Sequence, residues 1–179
     1  MAFNSNYLIP NEGLDYSINI FPRGINALPS GTYMGLFTTS WSTIQAGTPN
    51  VTLNGSVGGS SVINEASFTN YSRQFIPSGT TYWTSPSGAN FTVSGTVSGQ
   101  ITTTNSGYSF TNSGTSQSIY GMFLATTAAT GVVTSGTGSG TNTPTVLWYA
   151  PFSDLNAVTL ATGDSLTVTP TWQFAPNAG

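Results

Sequence analysis

The 179-residue chain contains no cysteine, no histidine and no lysine. Without cysteine there is no disulfide, no thiolate nucleophile and no thiolate-bound metal, and the redox compartment stays open. Without histidine a Ser-His-Asp triad and an imidazole-held metal are both out of reach. General acid–base work near neutral pH also loses its usual carrier. Charge is scarce as well. Only 4% of residues are charged, namely Glu12, Asp15, Arg23, Glu65, Arg73, Asp154 and Asp164, against roughly a quarter in an ordinary soluble domain. With a net charge of -3 and no basic patch to neutralise phosphates, no nucleic-acid partner is expected. No apolar run approaches the ~20 residues of a membrane-spanning helix, so no membrane partner is expected either. Met1 to Pro10 lacks a basic n-region and a long apolar h-region, which predicts no signal peptide.

Low charge would suggest disorder if apolar residues were few, but here aromatic residues make up 12% of the chain. Ten Phe, eight Tyr and four Trp can bury enough area to offset chain entropy. The surface is then wetted by Ser, Thr, Asn and Gln. The length suits one domain, since halving it would leave each part a thin core.

Helical periodicity is nearly absent, and Thr, Ser, Val, Gly and aromatics fit pleated strands separated by tight turns. Strands are predicted at Thr32 to Thr39, Phe68 to Ile76, Phe91 to Val97, Tyr108 to Asn112, Ser118 to Thr126, Thr145 to Phe152 and Ser165 to Phe174. In the last, Leu166, Val168, Trp172 and Phe174 alternate with Thr167, Thr169, Thr171 and Gln173. Pro170 lacks an amide donor, so this strand should lie at an edge or be bulged there. Turns are marked by Pro29-Ser30-Gly31, Pro77-Ser78-Gly79, Asn105-Ser106-Gly107 and Gly163-Asp164. The expectation is an all-β fold: an antiparallel β-sandwich or barrel over residues 29–179 with long Gly/Ser/Thr-rich loops. Val51 to Ser61 and Thr134 to Pro144 are those loops. Residues 1–28 are an N-terminal arm or a first strand, the arm being favoured.

Little chemistry can be built from these residues, and the reading is of no enzyme, no catalytic residues, no cofactor and no metal. A glycosidase needs only two carboxylates, and Asp154 and Asp164 lie in adjacent segments. Both occupy turn contexts, where Asp commonly caps or forms the turn. Arg73, inside Asn70-Tyr71-Ser72-Arg73-Gln74, is either an interface anchor or the partner of Glu65 or Asp164 in its own domain. The intramolecular pair is the stronger expectation. Trp148 and Trp172 lie in apolar runs and read as core. Trp41 and Trp83 sit beside loops and are the candidates for exposure, which would suit sugar stacking. Sequons at Asn50, Asn54, Asn70 and Asn90 are expected by chance in a chain so rich in Asn, Ser and Thr.

Five short motifs follow in order over about residues 31 to 174. They are Gly35-Leu36-Phe37-Thr38, Glu65 followed by Tyr71-Ser72-Arg73-Gln74, Ile119-Tyr120-Gly121-Met122-Phe123, Leu147-Trp148-Tyr149-Ala150, and Gly163-Asp164-Ser165-Leu166-Thr167-Val168. This series resembles a group of small tailed-bacteriophage virion proteins, some tail-fibre-like and some similar to capsid decoration (cement) proteins. The resemblance implies a structural virion protein, with the major capsid protein and further copies of itself as partners. Its place would be the virion, assembled in the host bacterial cytoplasm. A tail or head appendage subunit, or a receptor- or glycan-binding module, are the alternatives. Strand edges without lysine fit such a part, because assembly would cover them.

Overall fold

The computed structural model describes residues 30–45, 51–53, 61–79, 81–82, 101–104, 106–126, 128, 146–152 and 155–174. In chain order the elements are β1 (Gly31–Phe37), α1 (Trp41–Gln45), β2 (Val51–Leu53), β3 (Ser61–Ile63), β4 (Gln74–Pro77) and β5 (Ile101–Thr104). They continue with β6 (Tyr108–Thr111), β7 (Gln117–Ile119), β8 (Gly121–Ala125), β9 (Val146–Pro151), β10 (Val158–Leu160), β11 (Ser165–Val168) and β12 (Thr171–Phe174). The fold is all-β and antiparallel except for the β2–β3 pair.

A four-stranded sheet, ordered β4-β1-β8-β9, is the centre. Side chains of a strand alternate between its two faces. On β1, Met34 and Leu36 enter one core while Phe37 enters another; on β8, Met122 and Leu124 oppose Phe123 and Ala125. Both faces are therefore covered, and all five residues of β8 are buried. The first face packs on Phe110 of β6, Ile119 of β7, Leu160 of β10 and Leu166 and Val168 of β11. The second packs on Trp41 and Ile44 of α1 and on Leu53 and Ile63 of β2 and β3. The result is a layered sandwich; no closed barrel forms among the described residues.

Two local devices let these strands serve both cores. Leu124 pairs with Trp148 and Ala125 with Val146, so β9 carries an extra residue, Leu147. This bulge turns Val146 to the face opposite Trp148, although two positions normally restore the same face. At Tyr120 the chain passes from β7 in the outer layer to β8 in the central sheet. Its amide donates to Phe37 O (2.9 Å) and its carbonyl accepts from Phe152 (3.0 Å). A Cβ on Gly121 would meet the Ala150 carbonyl and the Phe37 ring, so only glycine fits this corner.

Several expectations are corrected. The run Phe68 to Ile76 is strand only from Gln74. Before it, Asn70 takes φ 70°, a left-handed conformation that Asn tolerates, and Tyr71 N–H bonds Phe68 O (2.9 Å) to close a turn. Ser118 to Thr126 divides at Tyr120 into β7 and β8. The expected loop Val51 to Ser61 has strand at both ends, where Val51–Leu53 pairs in parallel with Ser61–Ile63. Leu53 and Ile63 are fully buried, so apolar burial overrides the loop-like composition around them. Ser165 to Phe174 is neither one edge strand nor one bulged strand. It breaks at Thr169-Pro170 into β11, which pairs β6, and β12, which pairs β5. The expected alternation survives in β11, with Leu166 and Val168 buried and Ser165 and Thr167 exposed. The segment 1–28, the strand Phe91 to Val97, the loop Thr134 to Pro144, Trp83 and Asp154 lie outside the described residues.

Candidate functional site

The polar chemistry of the fold collects where β1 loses its neighbour. β4 pairs β1 only as far as Met34, leaving the next backbone groups on that side to be met otherwise. Leu36 O accepts the Ala66 amide (2.9 Å), and Thr38 N–H donates to Asn64 O (2.8 Å). Leu36 N–H donates to the Tyr71 hydroxyl at 2.9 Å. A tyrosine side chain thus stands in for a strand partner.

That hydroxyl in turn donates to Glu65 Oε1 at 2.9 Å. The same carboxylate takes Arg73 in a two-point contact, Nε to Oε1 and Nη2 to Oε2, both 2.7 Å. The Arg73 and Glu65 side chains are 0% and 2% exposed. The guanidinium also lies 5.1 Å from the centroid of the Phe123 ring, within cation–π range. Burial, and then the neighbouring Glu65 charge, push the Tyr71 phenol well above the usual tyrosine range. Its ring is clamped between Phe68 (5.2 Å, edge-on) and Phe110 (6.1 Å, stacked). Gly35 makes the space, because a Cβ there would meet the Phe123 ring and the Tyr71 hydroxyl.

Of the two acids proposed for Arg73, Glu65 is the partner. Both its oxygens accept donors of the same chain and neither side chain reaches water, so no substrate can approach this carboxylate. The arrangement staples the Asn64–Ala66 segment to the root of β4. It does not present a reactive group.

Asp164 is a turn former, as its context suggested. Its Oδ2 accepts the Ala161 amide at 2.9 Å, and its carbonyl accepts Asn112 N–H (2.9 Å). Sequence reasoning missed Asn112, which is 0% exposed. Its side-chain amide donates to Thr115 O and Leu160 O (both 2.9 Å), and its carbonyl oxygen accepts Gly114 N–H (2.8 Å). Thr162 Oγ1 adds a bond to Gly114 O (2.6 Å). One buried amide therefore locks the β6–β7 turn to the β10–β11 turn. The signal lay in Asn112-Ser113-Gly114, a turn-forming run whose first residue the sequence reading gave to the end of a strand.

The tryptophan expectation is half corrected. Trp148 is core, as predicted, but Trp41 is 3% exposed and packs at a tilt against Phe37, ring centroids 6.2 Å apart. It begins α1 and turns into the second core rather than toward solvent, so it offers no sugar platform. No group of three or more His, Cys, Asp or Glu that could hold a metal occurs among the described residues. None of their helices is long and apolar enough to cross a membrane. Comparison with protein-family models, curated proteins and solved structures gave no match.

Proposed function

We propose that the chain is a non-enzymatic structural subunit of a tailed-phage particle, a decoration protein that binds the major capsid protein and further copies of itself. The observation that carries the reading is how its charge is used. Glu65 and Arg73 are consumed by each other inside the sheet, and Asp164 is the one other charged group among the described residues. A surface so poor in charge is suited to permanent contacts made by apolar groups and backbone hydrogen bonds, which salt barely screens. The segments that resemble virion proteins also supply β1, the staple, β8 and β9, the framework of the fold. A tail or head appendage would use the same physics, whereas a glycan-binding module loses support with the burial of Trp41.

The test is to wash purified phage particles in a salt series and a urea series and measure the retained chain by gel. Retention in molar salt and release in urea are expected, because urea solvates apolar and peptide groups alike. Release by salt alone overturns the apolar interface. Antibody labelling of the particles in negative stain separates head from tail. A chain lacking Met1 to Leu28 should keep its β-sheet circular dichroism and bind less if that segment is an arm.

A further inference from the structure

We infer that the outer edge of β4 is a docking surface for residues 14–20 of the same chain, which join the central sheet as a fifth strand. β4 and β9 are the outermost strands of the four, and they differ. Five of the six β9 residues are buried, whereas Phe75 of β4 is 42% exposed. Tyr82, 50% exposed, follows in the turn that its amide closes on Gly79 O (3.2 Å). Two of the three exposed large hydrophobic residues among the described residues thus lie on β4 or just past its end. The backbone of β4 is open on the same side. Ser78 N–H donates to Ser30 O (2.8 Å), and hydrogen-bonded pairs alternate along an antiparallel ladder. Ile76 and Gln74 therefore face β1, and the Phe75 amide and carbonyl point outward. The Phe75 ring does not obstruct them. It leans back over Gly31, where a Cβ would strike it, and onto Tyr33, with 5.1 Å between ring centroids. Edges that combine open backbone groups with apolar surface are ones that proteins cover.

Residues 1–29 lie outside the described residues, and their sequence carries the pattern this edge requires. Leu14, Tyr16, Ile18 and Ile20 alternate strictly with Asp15, Ser17 and Asn19, between Gly13 and Pro22. Such alternation belongs to a strand with one apolar and one wet face. Beside β4 the apolar set would meet Phe75 as a cross-strand neighbour, and the outward backbone groups of Phe75 would gain partners. The segment also enters the fold at the right place. Ser30, where the described chain starts, is hydrogen-bonded to Ser78 just past β4. The steps from Ile20 to Ser30 reach at most about 33 Å. The docked strand would lie only two strand spacings, about 10 Å, from β1. Tethered there, the segment is held over the edge at a high effective concentration, ahead of any second copy. The contact goes beyond the virion reading and needs neither a capsid nor another chain.

The experiment is amide hydrogen exchange on the isolated full-length chain, read at Phe75 by NMR over a concentration series. In the wild type the Phe75 amide should exchange at least about tenfold more slowly than an unpaired amide, and equally at every concentration. Ile18→Asp puts a charge on the apolar set and should remove that protection. Asn19→Asp puts the same charge on the wet set and should keep it. Ile18→Ser is the milder form of the first change, should Ile18→Asp fail to fold, and the same loss is expected. An unprotected Phe75 amide in the wild type overturns the docking. Protection that fades on dilution gives the edge to a second copy, and protection that survives the Ile18 changes gives it to another segment; either overturns the assignment. Particles play no part in the measurement. Loss of the capsid reading would leave this contact standing, and failure of the contact would leave that reading untouched.

Discussion

Arg73 and Glu65 meet through two parallel 2.7 Å hydrogen bonds with both side chains withdrawn from water. Removing either partner leaves the other charge buried, which typically costs about 3–5 kcal/mol. Arg73→Met and Glu65→Leu should each lower the urea midpoint accordingly. The double change Glu65→Leu with Arg73→Met should cost far less than the sum of its parts, because no charge is stranded. A double-mutant cycle by urea denaturation reads this directly; additive losses would show that the pair does not act as a unit.

The pH response should come from Tyr71 and not from the neutral range. With no His or Cys in the sequence, no cooperative transition in fold is expected between pH 6 and 8. Tyr71 holds its proton more tightly folded than unfolded, because of burial and then of Glu65. The unfolded chain gives that proton up first, so the stability Tyr71 contributes is intact below the ordinary tyrosine value of about 10 and declines as pH rises beyond it. Absorbance titration at alkaline pH should show a late-titrating tyrosine that Tyr71→Phe removes, apart from the smaller upward displacement that burial gives Tyr108. The same variant should weaken folding at neutral pH by about 1–3 kcal/mol, since Leu36 N–H loses its acceptor.

Gly35→Ala should be severe for a single methyl group. Its Cβ would enter the space of the Phe123 ring and the Tyr71 hydroxyl, and overpacking of this kind costs about 1–3 kcal/mol. Gly79→Ala is the control: nothing lies within reach of its Cβ, and only its φ of 115° opposes the change. Thermal denaturation should rank Gly35→Ala well below the wild type, and Tyr71 should move closer to its ordinary titration range as its enclosure opens.

Asn112→Ala removes the amide that serves Thr115 O, Leu160 O and Gly114 N–H. Leaving buried groups without partners costs about 1–3 kcal/mol. Hydrogen exchange should then quicken in both the β6–β7 and β10–β11 turns, although the substitution touches only one of them in sequence. Faster exchange confined to the first turn would show that the amide does not couple them.

The sequence made some of this legible, and physics explains the remainder. Strand-forming residues at Thr32 to Phe37, Tyr108 to Thr111 and Val146 to Pro151 agree with the structure, because alternation and β-branching act locally. Arg73 was readable as a paired residue because a lone cation among aromatic and apolar neighbours has few ways to be satisfied, although it stands just before β4 and not inside a strand. Tyr71 as a surrogate strand partner was not readable, since that role depends on where β4 stops relative to β1, a tertiary fact. Trp41 looked exposed beside its loop, and only the packing of α1 on Phe37 turns it inward. Leu53 and Ile63 were hidden among Gly, Ser, Thr and Asn, where composition outweighed two apolar residues that find each other across a parallel pair.

The pairing order of the central sheet bears on how the chain must fold. Tyr33 of β1 meets Phe75 about forty positions later and Ala125 about ninety positions later. Topologies dominated by such distant pairings fold slowly, because the entropy of closing long loops is lost before any contact rewards it. During synthesis Met34, Leu36 and Phe37 must therefore wait, unshielded, until β8 and β9 have left the ribosome. Their apolar surface is open to other chains for that interval. Crowded expression should favour aggregation through β1, and a slower translation rate across residues 38–120 should lengthen the exposure rather than relieve it.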